Sequence, residues 1–370
     1  MRLSIWTGDD LMPTLWGRDY TRAELMARVG DLSQVGGVRE YRLDGGSGDG
    51  VEAVDFDTGS GLRFTVLPGR ALDISSASYR GIPLAFRTPT GDVQGARYEP
   101  GGQGWIRTTV LGLLVTGGLT NVGDPVDDDD EGGEEGLHGR LSNLGATNVW
   151  ADGAWDGDDY RMWVQGRVRQ ATLYGENLEL VRRIETSLGS STIEIHDTVT
   201  NHGHRQQHMM ILYHMNPGHP LLDEGARFHV RSQSRRFHDI YTGASPEGWE
   251  VYEGPSVDWQ VQVLIHDVEA ATDGTVHAAL VNRGLGDGLG LGFTWNKHQL
   301  PYLNHWRNTT PGDYVTGIEP GNATVLGRAR NRADGTLHSL GPGETASFDV
   351  RIQVLDGADA IDDFLARVGA

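Results

Sequence analysis

The sequence predicts an all-β protein, and three observations support that prediction. The chain of 370 residues contains 53 glycines that follow no fixed period, which disfavours long helices and suits short strands joined by tight turns. From residue 38 onward, apolar and polar residues alternate in runs of strand length. Turn pairs such as Asp44-Gly45, Thr58-Gly59 and Arg80-Gly81 separate these runs at hairpin intervals.

The individual elements can be read in chain order. Thr21 and Glu24 have the spacing of a capping box, so a short helix is predicted over residues 21–29. Alternating runs between residues 38 and 86 predict a meander of hairpins. Further strands are predicted at residues 160–170, 177–187, 191–200, 227–239, 249–268, 276–283, 289–295, 312–319 and 345–355. The amphipathic stretch 358–368 predicts a C-terminal helix.

The chain shows no Pro/Ser-rich linker and no shift in composition that would divide it. We therefore expect an N-terminal extension over residues 1–34 that carries the short helix. A single β-sandwich domain over residues 35–370 follows it. Residues 123–136 carry a run of acidic side chains, which predicts a solvated loop because like charges repel; a cation site is the alternative.

Charge and composition restrict the partners. A formal net charge of -20 would repel nucleic acid and anionic membrane surfaces, so neither is expected as a partner. The absence of cysteine excludes disulfides, thiolate metal sites and a cysteine nucleophile. No stretch approaches the roughly 20 apolar residues of a membrane span, and Asp9 and Asp10 interrupt the region where a signal peptide needs its apolar run. We expect a soluble cytoplasmic protein, as a monomer or a homodimer.

Two candidate binding residues lie beside glycines in the first half of the chain. Arg70 at a strand-turn-strand junction could hold a hydroxyl or a carboxylate of a substrate, or it could form a surface pair with Asp73. His138 is accessible to a ligand because glycines on both sides allow close approach of the backbone. The alternative for His138 is an exposed loop histidine.

A third segment, residues 208–219, is the richest in polar groups. If it is a strand, one face carries His208, Met210, Leu212, His214 and Asn216. Two histidines on that face could bind a divalent ion with a carboxylate, or His214 could act as a general acid near neutral pH. A buried histidine bonded to the backbone is the structural alternative.

A fourth segment, residues 313–322, contains Glu319, which the following proline biases to extended geometry. A carboxylate held in a partly buried pocket is what a general base requires. Trp306 and Arg307 lie just upstream and could offer an aromatic platform and a cation, although a core tryptophan is the alternative.

Motifs of two other reaction classes are absent. The sequence contains no G-x-S-x-G elbow and no phosphate-binding GxxxxGK[ST] loop. These absences favour chemistry that needs only an acid, a base and groups that bind hydroxyls.

The order of these segments resembles the aldose 1-epimerase (galactose mutarotase-like) superfamily, and more closely its DUF4432 branch. The resemblance rests on the runs VLPGRALDI, GLHGRLSN, LYHMNPGHPLLDEGA, HWR and YVTGIEPGN, and it covers roughly residues 35–355. It implies a β-supersandwich, in which large antiparallel sheets bend around one open cleft.

The resemblance also implies an activity, the interconversion of sugar anomers through ring opening, with no cofactor and no metal. His214 would protonate the ring oxygen and Glu319 would take the proton of the anomeric hydroxyl. The expected substrate is a small sugar or sugar acid. The predicted substrate-binding residues are Arg70, His138, Asn216, Trp306 and Arg307.

Two alternatives remain open from the sequence. The same acid and base could serve a keto-sugar isomerase, epimerase or lyase, with or without a metal held by His138, His214 and a carboxylate. The protein could also bind a sugar without catalysis.

Overall fold

The computed structural model describes residues 12–128, 133–239 and 247–369. About half of these residues lie in strands that pair in antiparallel fashion and few lie in helices, which confirms the predicted all-β class. The helices are α1 Arg22–Met26, α2 Gly327–Ala333 and α3 Ala358–Gly369. Short 3-10 turns occupy Leu32–Gln34, Gly46–Gly48, Pro68–Arg70, Gly95–Arg97, Gly104–Arg107 and Leu141–Asn143.

The strands are numbered in chain order. The first are β1 Thr14–Leu15, β2 Arg18–Asp19, β3 Gly37–Arg42, β4 Glu52–Asp57, β5 Leu62–Leu67, β6 Asp73–Tyr79, β7 Ile82–Pro83, β8 Phe86–Arg87, β9 Leu111–Gly112, β10 Leu114–Leu119, β11 Val126–Asp128, β12 Gly133–Glu135, β13 Thr147–Asp156 and β14 Asp159–Ala171. The others are β15 Asn177–Ser187, β16 Thr192–Asn201, β17 Gln207–His208, β18 Met210–Met215, β19 Arg227–Val230, β20 Ser232–Phe237, β21 Gln262–Val268, β22 Thr275–Asn282, β23 Leu289–Asn296, β24 Tyr302–Thr310, β25 Asp313–Gly321, β26 Ser339–Leu340 and β27 Thr345–Asp356.

Two antiparallel sheets form the body of the protein. The large sheet has the order β20-β21-β24-β25-β18-β10-β6-β5-β4-β3, and β7 pairs with β6. The small sheet has the order β13-β14-β15-β16-β27-β23-β22-β19. One continuous hydrophobic core contains buried side chains from both sheets. This is the sandwich of bent antiparallel sheets that the resemblance implies.

In the small sheet, strands β15 and β16 have one buried face and one partly exposed face. In β15 and β16 every second residue is buried, and the intervening residues are partly exposed. Such a period of two is typical of strands with one face on a core and the other toward solvent. Small-sheet side chains such as Leu180 and Ile195 therefore belong to the main core.

Strand β18 differs because both of its faces are covered. All six of its residues are buried. Ile211, Tyr213 and Met215 belong to the core between the sheets, whereas Met210 and Leu212 pack in a separate cluster on the opposite face. A strand that is buried on both sides reads as a continuous apolar run, so a polar residue inside it stands out.

Several predicted elements are found with small changes of boundary. Thr21 caps α1 in a full capping box, and the C-terminal helix and the strands of residues 160–200 and 276–295 are present. The predicted strand 227–239 divides into β19 and β20, and only the last part of 249–268 is a strand. Strand β24 and helix α2 were not predicted.

The two ends of the predicted acidic loop form the hairpin β11–β12, and residues 129–132 lie outside the described residues. The first eleven residues of the predicted N-terminal extension, with Asp9 and Asp10, also lie outside them. Further along this extension, Leu15 and Leu25 are buried in the main core. None of the described helices is long and apolar enough to cross a membrane.

Candidate active site

A cavity of about 480 Å³ opens on the face of the large sheet that points away from the small sheet. Its wall includes four of the predicted site residues, namely His138, His214, Trp306 and Glu319. The direction follows from alternation, because Tyr213 and Ile318, the chain neighbours of His214 and Glu319, belong to the core between the sheets.

His214 and Glu319 are in direct contact. They lie on the adjacent strands β18 and β25, and His214 Nε2 is 3.1 Å from Glu319 Oε1. The two residues are 5% and 2% exposed. Gly317 makes room for them, because a Cβ there would lie 2.3 Å from Glu319 Oε1 and 2.8 Å from His214 Cε1.

Burial sets the protonation of this pair. It raises the pKa of Glu319 well above its usual value. Burial, followed by the neighbouring His138, lowers the pKa of His214 well below its usual value, and the side chain of Asn216 opposes that shift. Because burial disfavours every charged state, the pair is most stable when it holds one proton and has no net charge.

His138 supplies a neutral hydrogen-bond donor beside the pair. The backbone N–H of Gly123 donates to its Nδ1 at 3.3 Å, so the neutral ring carries its proton on Nε2. Burial lowers the pKa of His138 to about 4, so the ring is neutral at pH 7. Its ring centre lies 5.4 Å from that of His214.

Two tryptophans provide flat walls for the cavity. The ring centre of Trp306 lies 5.8 Å from that of His214, and the ring centre of Trp105 lies 4.9 Å from that of His138. Trp105 was not among the predicted residues. Aromatic rings next to polar groups are suited to a ligand with both apolar C–H faces and hydroxyls.

Three predicted substrate-binding residues are not part of the cavity wall. Arg70 is buried and donates to the carbonyl of Val93 at 3.3 Å. Asn216 is buried and its Nδ2 donates to the carbonyl of His214 at 2.8 Å. Arg307 follows Trp306 in the same strand and therefore points to the opposite face of the sheet.

His208 does not share the site with His214. It lies in the short strand β17, where its Nδ1 is 2.8 Å from Ser339 Oγ, and β18 begins only at Met210. Met209 belongs to the core between the sheets and Met210 to the cluster on the opposite face, so the alternation continues from β17 into β18, but His208 does not line the cavity.

The sequence did not identify several polar residues of the cavity. They are Asp124, His238 and Asn308, whereas Asp313 begins the fourth candidate segment without a predicted role of its own. Asp124 was hidden in the acidic run that predicted a solvated loop, although its position between a glycine and a proline marks a constrained backbone. His238 carries no local signal that separates it from an ordinary strand residue.

Within the described ranges, one group of three possible metal ligands is close enough for a shared ion, and it lies outside the cavity. It consists of Glu185, Glu194 and His196 on the small sheet. Arg183 pairs with Glu185, and Arg351 pairs with Glu194, so both carboxylates already have cationic partners. His138, His214 and a carboxylate do not form such a group in the described chain.

The chain belongs to the family described as domain of unknown function DUF4432, whose model matches residues 48–354. This match confirms the resemblance that the sequence motifs indicated. A search of curated proteins finds no match.

Solved structures show the same fold. The chain is similar to a protein from Klebsiella pneumoniae described as a "putative aldose 1-epimerase", with 27% identity, a TM-score of 0.83, and coverage of 90% of this chain and 86% of that one. A galactose mutarotase-like protein from Clostridium acetobutylicum shares 13% identity at a TM-score of 0.57, with 86% and 98% covered. Galactose 1-epimerase from Lactobacillus acidophilus shares 11% identity at a TM-score of 0.53, with 87% of this chain and 99% of that one covered. The fold is therefore galactose mutarotase-like.

Proposed function

We propose that this protein is an isomerase that interconverts the anomers of a small sugar, with His214 and Glu319 as its acid–base pair. The observation that carries the proposal is the direct contact of a buried imidazole and a buried carboxyl on the wall of one cavity. The fold shared with the Lactobacillus acidophilus galactose 1-epimerase and the similarity to the Klebsiella pneumoniae protein support the same class of reaction.

The chemistry fits a compact pair. The anomeric oxygen and the ring oxygen of a cyclic sugar are bonded to the same carbon, so one small pair can reach both. One member takes the proton of the anomeric hydroxyl while the other protonates the ring oxygen. The bond from C1 to the ring oxygen then breaks and leaves the open-chain aldehyde, and the reverse steps after rotation about C1–C2 give the other anomer.

The proton count is balanced throughout this cycle. The pair starts with one proton, transfers it to the ring oxygen and receives another from the anomeric hydroxyl. The pKa directions favour a resting proton on Glu319, and its transfer along the 3.1 Å contact to His214 Nε2 gives the other tautomer, which can also begin the reaction. The raised pKa of Glu319 and the lowered pKa of His214 both favour the state with one proton.

Other cavity residues would orient the sugar. His138 has a proton on Nε2 and can donate to a hydroxyl or to the ring oxygen. Trp105 and Trp306 can cover the apolar C–H faces of the ring. Asn216 would act indirectly, because it bonds to the carbonyl of His214 and helps to hold that residue.

The direct test is proton NMR of anomer exchange in freshly dissolved aldoses, with and without the purified protein. Acceleration by the wild type and its loss in Glu319→Gln and His214→Gln would support the proposal. No acceleration for any aldose would overturn it. The metal content of the protein is measured in the same samples, and a loss of activity with chelator would favour the metal-assisted alternative.

The same spectra distinguish the remaining alternatives. A keto-sugar isomerase removes a proton from carbon, so solvent deuterium would appear at C2 of the sugar, whereas ring opening leaves the C–H bonds intact. A protein that only binds sugar would keep its affinity in Glu319→Gln and would show no exchange in any form.

A further inference from the structure

We propose that Asp124, held by His238, forms a second subsite that selects the substrate by its hydrogen-bond donors and excludes sugars with an acidic group at that position. The proposal rests on the proposed function in that it takes the ligand to be a sugar. Nothing in the acid–base chemistry of His214 and Glu319 requires this second pair.

The two side chains form a carboxylate–imidazole pair in the same cavity. Asp124 Oδ2 lies 3.1 Å from His238 Nε2, and both residues line the cavity. The side chain of His238 is only 4% exposed, whereas that of Asp124 is 40% exposed. The imidazole therefore lies behind the carboxylate, and the carboxylate remains accessible to a ligand.

The backbone around Asp124 is fixed from several directions. Its N–H donates to the carbonyl of Val325 at 3.1 Å, and its own carbonyl accepts from Asn121 Nδ2 at 3.0 Å. Gly123 has a φ of 80°, and a Cβ at this position would lie 1.9 Å from the carbonyl oxygen of Val325. Only glycine permits this close approach, so the chain at Asp124 is held in one place.

The same backbone connects the subsite to the proposed catalytic pair. Gly123 donates to Nδ1 of His138, whose ring packs edge to face against His214. Asp124 follows Gly123 in the chain and lines the same cavity as His138 and His214. A sugar with its anomeric carbon at the catalytic pair would present its other hydroxyl groups to the rest of this cavity wall, which includes Asp124.

Burial separates the roles of the two carboxylates. Glu319 is 2% exposed and burial raises its pKa, which suits a group that exchanges a proton. The exposed carboxylate of Asp124 suits a fixed hydrogen-bond acceptor. Because a carboxylate offers no donor, it recognises hydroxyl or ammonium groups.

The charge of the cavity supports exclusion of anions. Its described wall contains the carboxyl groups of Asp124, Asp313 and Glu319 and no lysine or arginine. The two arginines that could have received an acidic group, Arg70 and Arg307, are not part of that wall. A carboxylate or phosphate of a ligand near Asp124 would therefore meet repulsion without a compensating cation.

The test measures the binding of three probes, galactose, galactosamine and galacturonate, by isothermal titration or by ligand-observed NMR. For the wild type, we expect galactose and galactosamine to bind at least about tenfold more tightly than galacturonate, since hydrogen bonds to a charged group are stronger than those between neutral groups. Asp124→Asn should weaken galactose binding and reduce this ratio about tenfold. Asp127→Asn is the matched control, because it removes an exposed carboxylate three residues further along the chain that does not line the cavity, and it should change the ratio less than about twofold.

Two variants of His238 test its positioning role. His238→Gln keeps a donor for Asp124, whereas His238→Phe keeps bulk and loses the donor. We expect Gln to retain most of the selectivity and Phe to lose it, with a raised KM and a kcat close to that of wild type. Equal losses in both variants would assign His238 a merely structural role and overturn this part of the proposal.

The outcomes separate this proposal from the proposed reaction. A preference among the probes that is unchanged in Asp124→Asn overturns the subsite even if anomer exchange is fast. A preference that collapses in Asp124→Asn supports the subsite even if no anomer exchange is detected, because binding is measured without turnover.

Discussion

Two buried polar clusters lie on opposite sides of strand β18. Tyr213 points into the cluster between the sheets, and the next residue, His214, points into the cavity. In the cluster between the sheets, Arg182 is fully buried, and all three of its guanidinium nitrogens donate to oxygen atoms. In the cavity, His214 Nδ1 has no hydrogen-bond partner in the described chain.

The cluster around Arg182 joins the two sheets. Arg182 bonds to Asp197 within the small sheet and to Asp73 and Thr116 of the large sheet, at 2.7, 3.0 and 2.9 Å. The hydroxyl of Tyr213 donates to Asp197 Oδ2 at 2.6 Å. Burial raises the pKa of Asp73 to about 6, although Arg182 and Thr116 oppose this shift.

The difference between the clusters indicates their roles. Buried charges that have all their partners serve the structure, because removal of one leaves another uncompensated. Buried groups with free hydrogen-bonding capacity at a cavity are costly for stability and are suited to a ligand. The hydrogen-bond partners of the buried polar residues on the two sides of β18 therefore indicate which side serves the structure and which side suits a ligand.

The largest expected effect is a loss of activity without a loss of stability. Glu319→Gln should reduce the rate of anomer exchange by about 10²–10⁴-fold, because the proton transfer is lost. Its free energy of unfolding in urea should stay the same or increase, since a buried ionisable group is replaced by a neutral one. A clear destabilisation would show that Glu319 belongs to the structural class of Arg182.

The opposite pattern is expected for Arg182→Met. The free energy of unfolding should fall by about 3–5 kcal/mol, because Asp73 and Asp197 would remain buried without their cation. The matched control is Arg183→Met, at the next position and on the other face of β15, where the change should be below about 1 kcal/mol. If the folded Arg182 variant has wild-type stability, the assignment of this cluster is wrong.

A smaller effect on activity is expected for Gly317→Ala. The added Cβ would collide with Glu319 Oε1 and would separate the pair, so exchange should slow by about 10²-fold. Gly117→Ala serves as the control on the same cavity face, because its Cβ would make ordinary contacts of 3.4–3.5 Å with Leu212 and His138. Equal rates for both variants would argue against the pair as the reactive centre.

The smallest effect concerns pH and stability. The pKa of His138 is lowered to about 4, so below the usual value of 6.5 the unfolded chain binds a proton that the native chain does not. Stability from this residue is complete above pH 6.5 and is lost as the pH falls toward 4. Asp73 has the opposite sign, because its raised pKa favours the native state at acidic pH.

The midpoint of urea unfolding at pH 7 and pH 5 measures this effect. The wild-type midpoint should be lower at pH 5, and His138→Gln should reduce the difference. The exposed His298 provides the control, and His298→Gln should leave the difference unchanged. A pH dependence that is identical in wild type and His138→Gln would contradict the role of the buried imidazole.

Local sequence patterns determined much of this protein. The alternation of apolar and polar residues predicted β15, β16 and β27, and the Thr21 capping box predicted α1. His214 and Glu319 stood out as candidates because each is polar within an apolar strand. These signals are local, since side-chain period and capping depend on residues a few positions apart.

The tertiary structure decided which of these residues meet. The contact of His214 with Glu319 depends on the pairing of β18 with β25, and the pair of Asp124 and His238 joins a turn to the end of a strand segment. The direction of Arg307 also depended on the strand register, because a shift of one residue exchanges the two faces of a strand. Contacts between distant segments are set by strand order and packing, which no local pattern in the sequence contains.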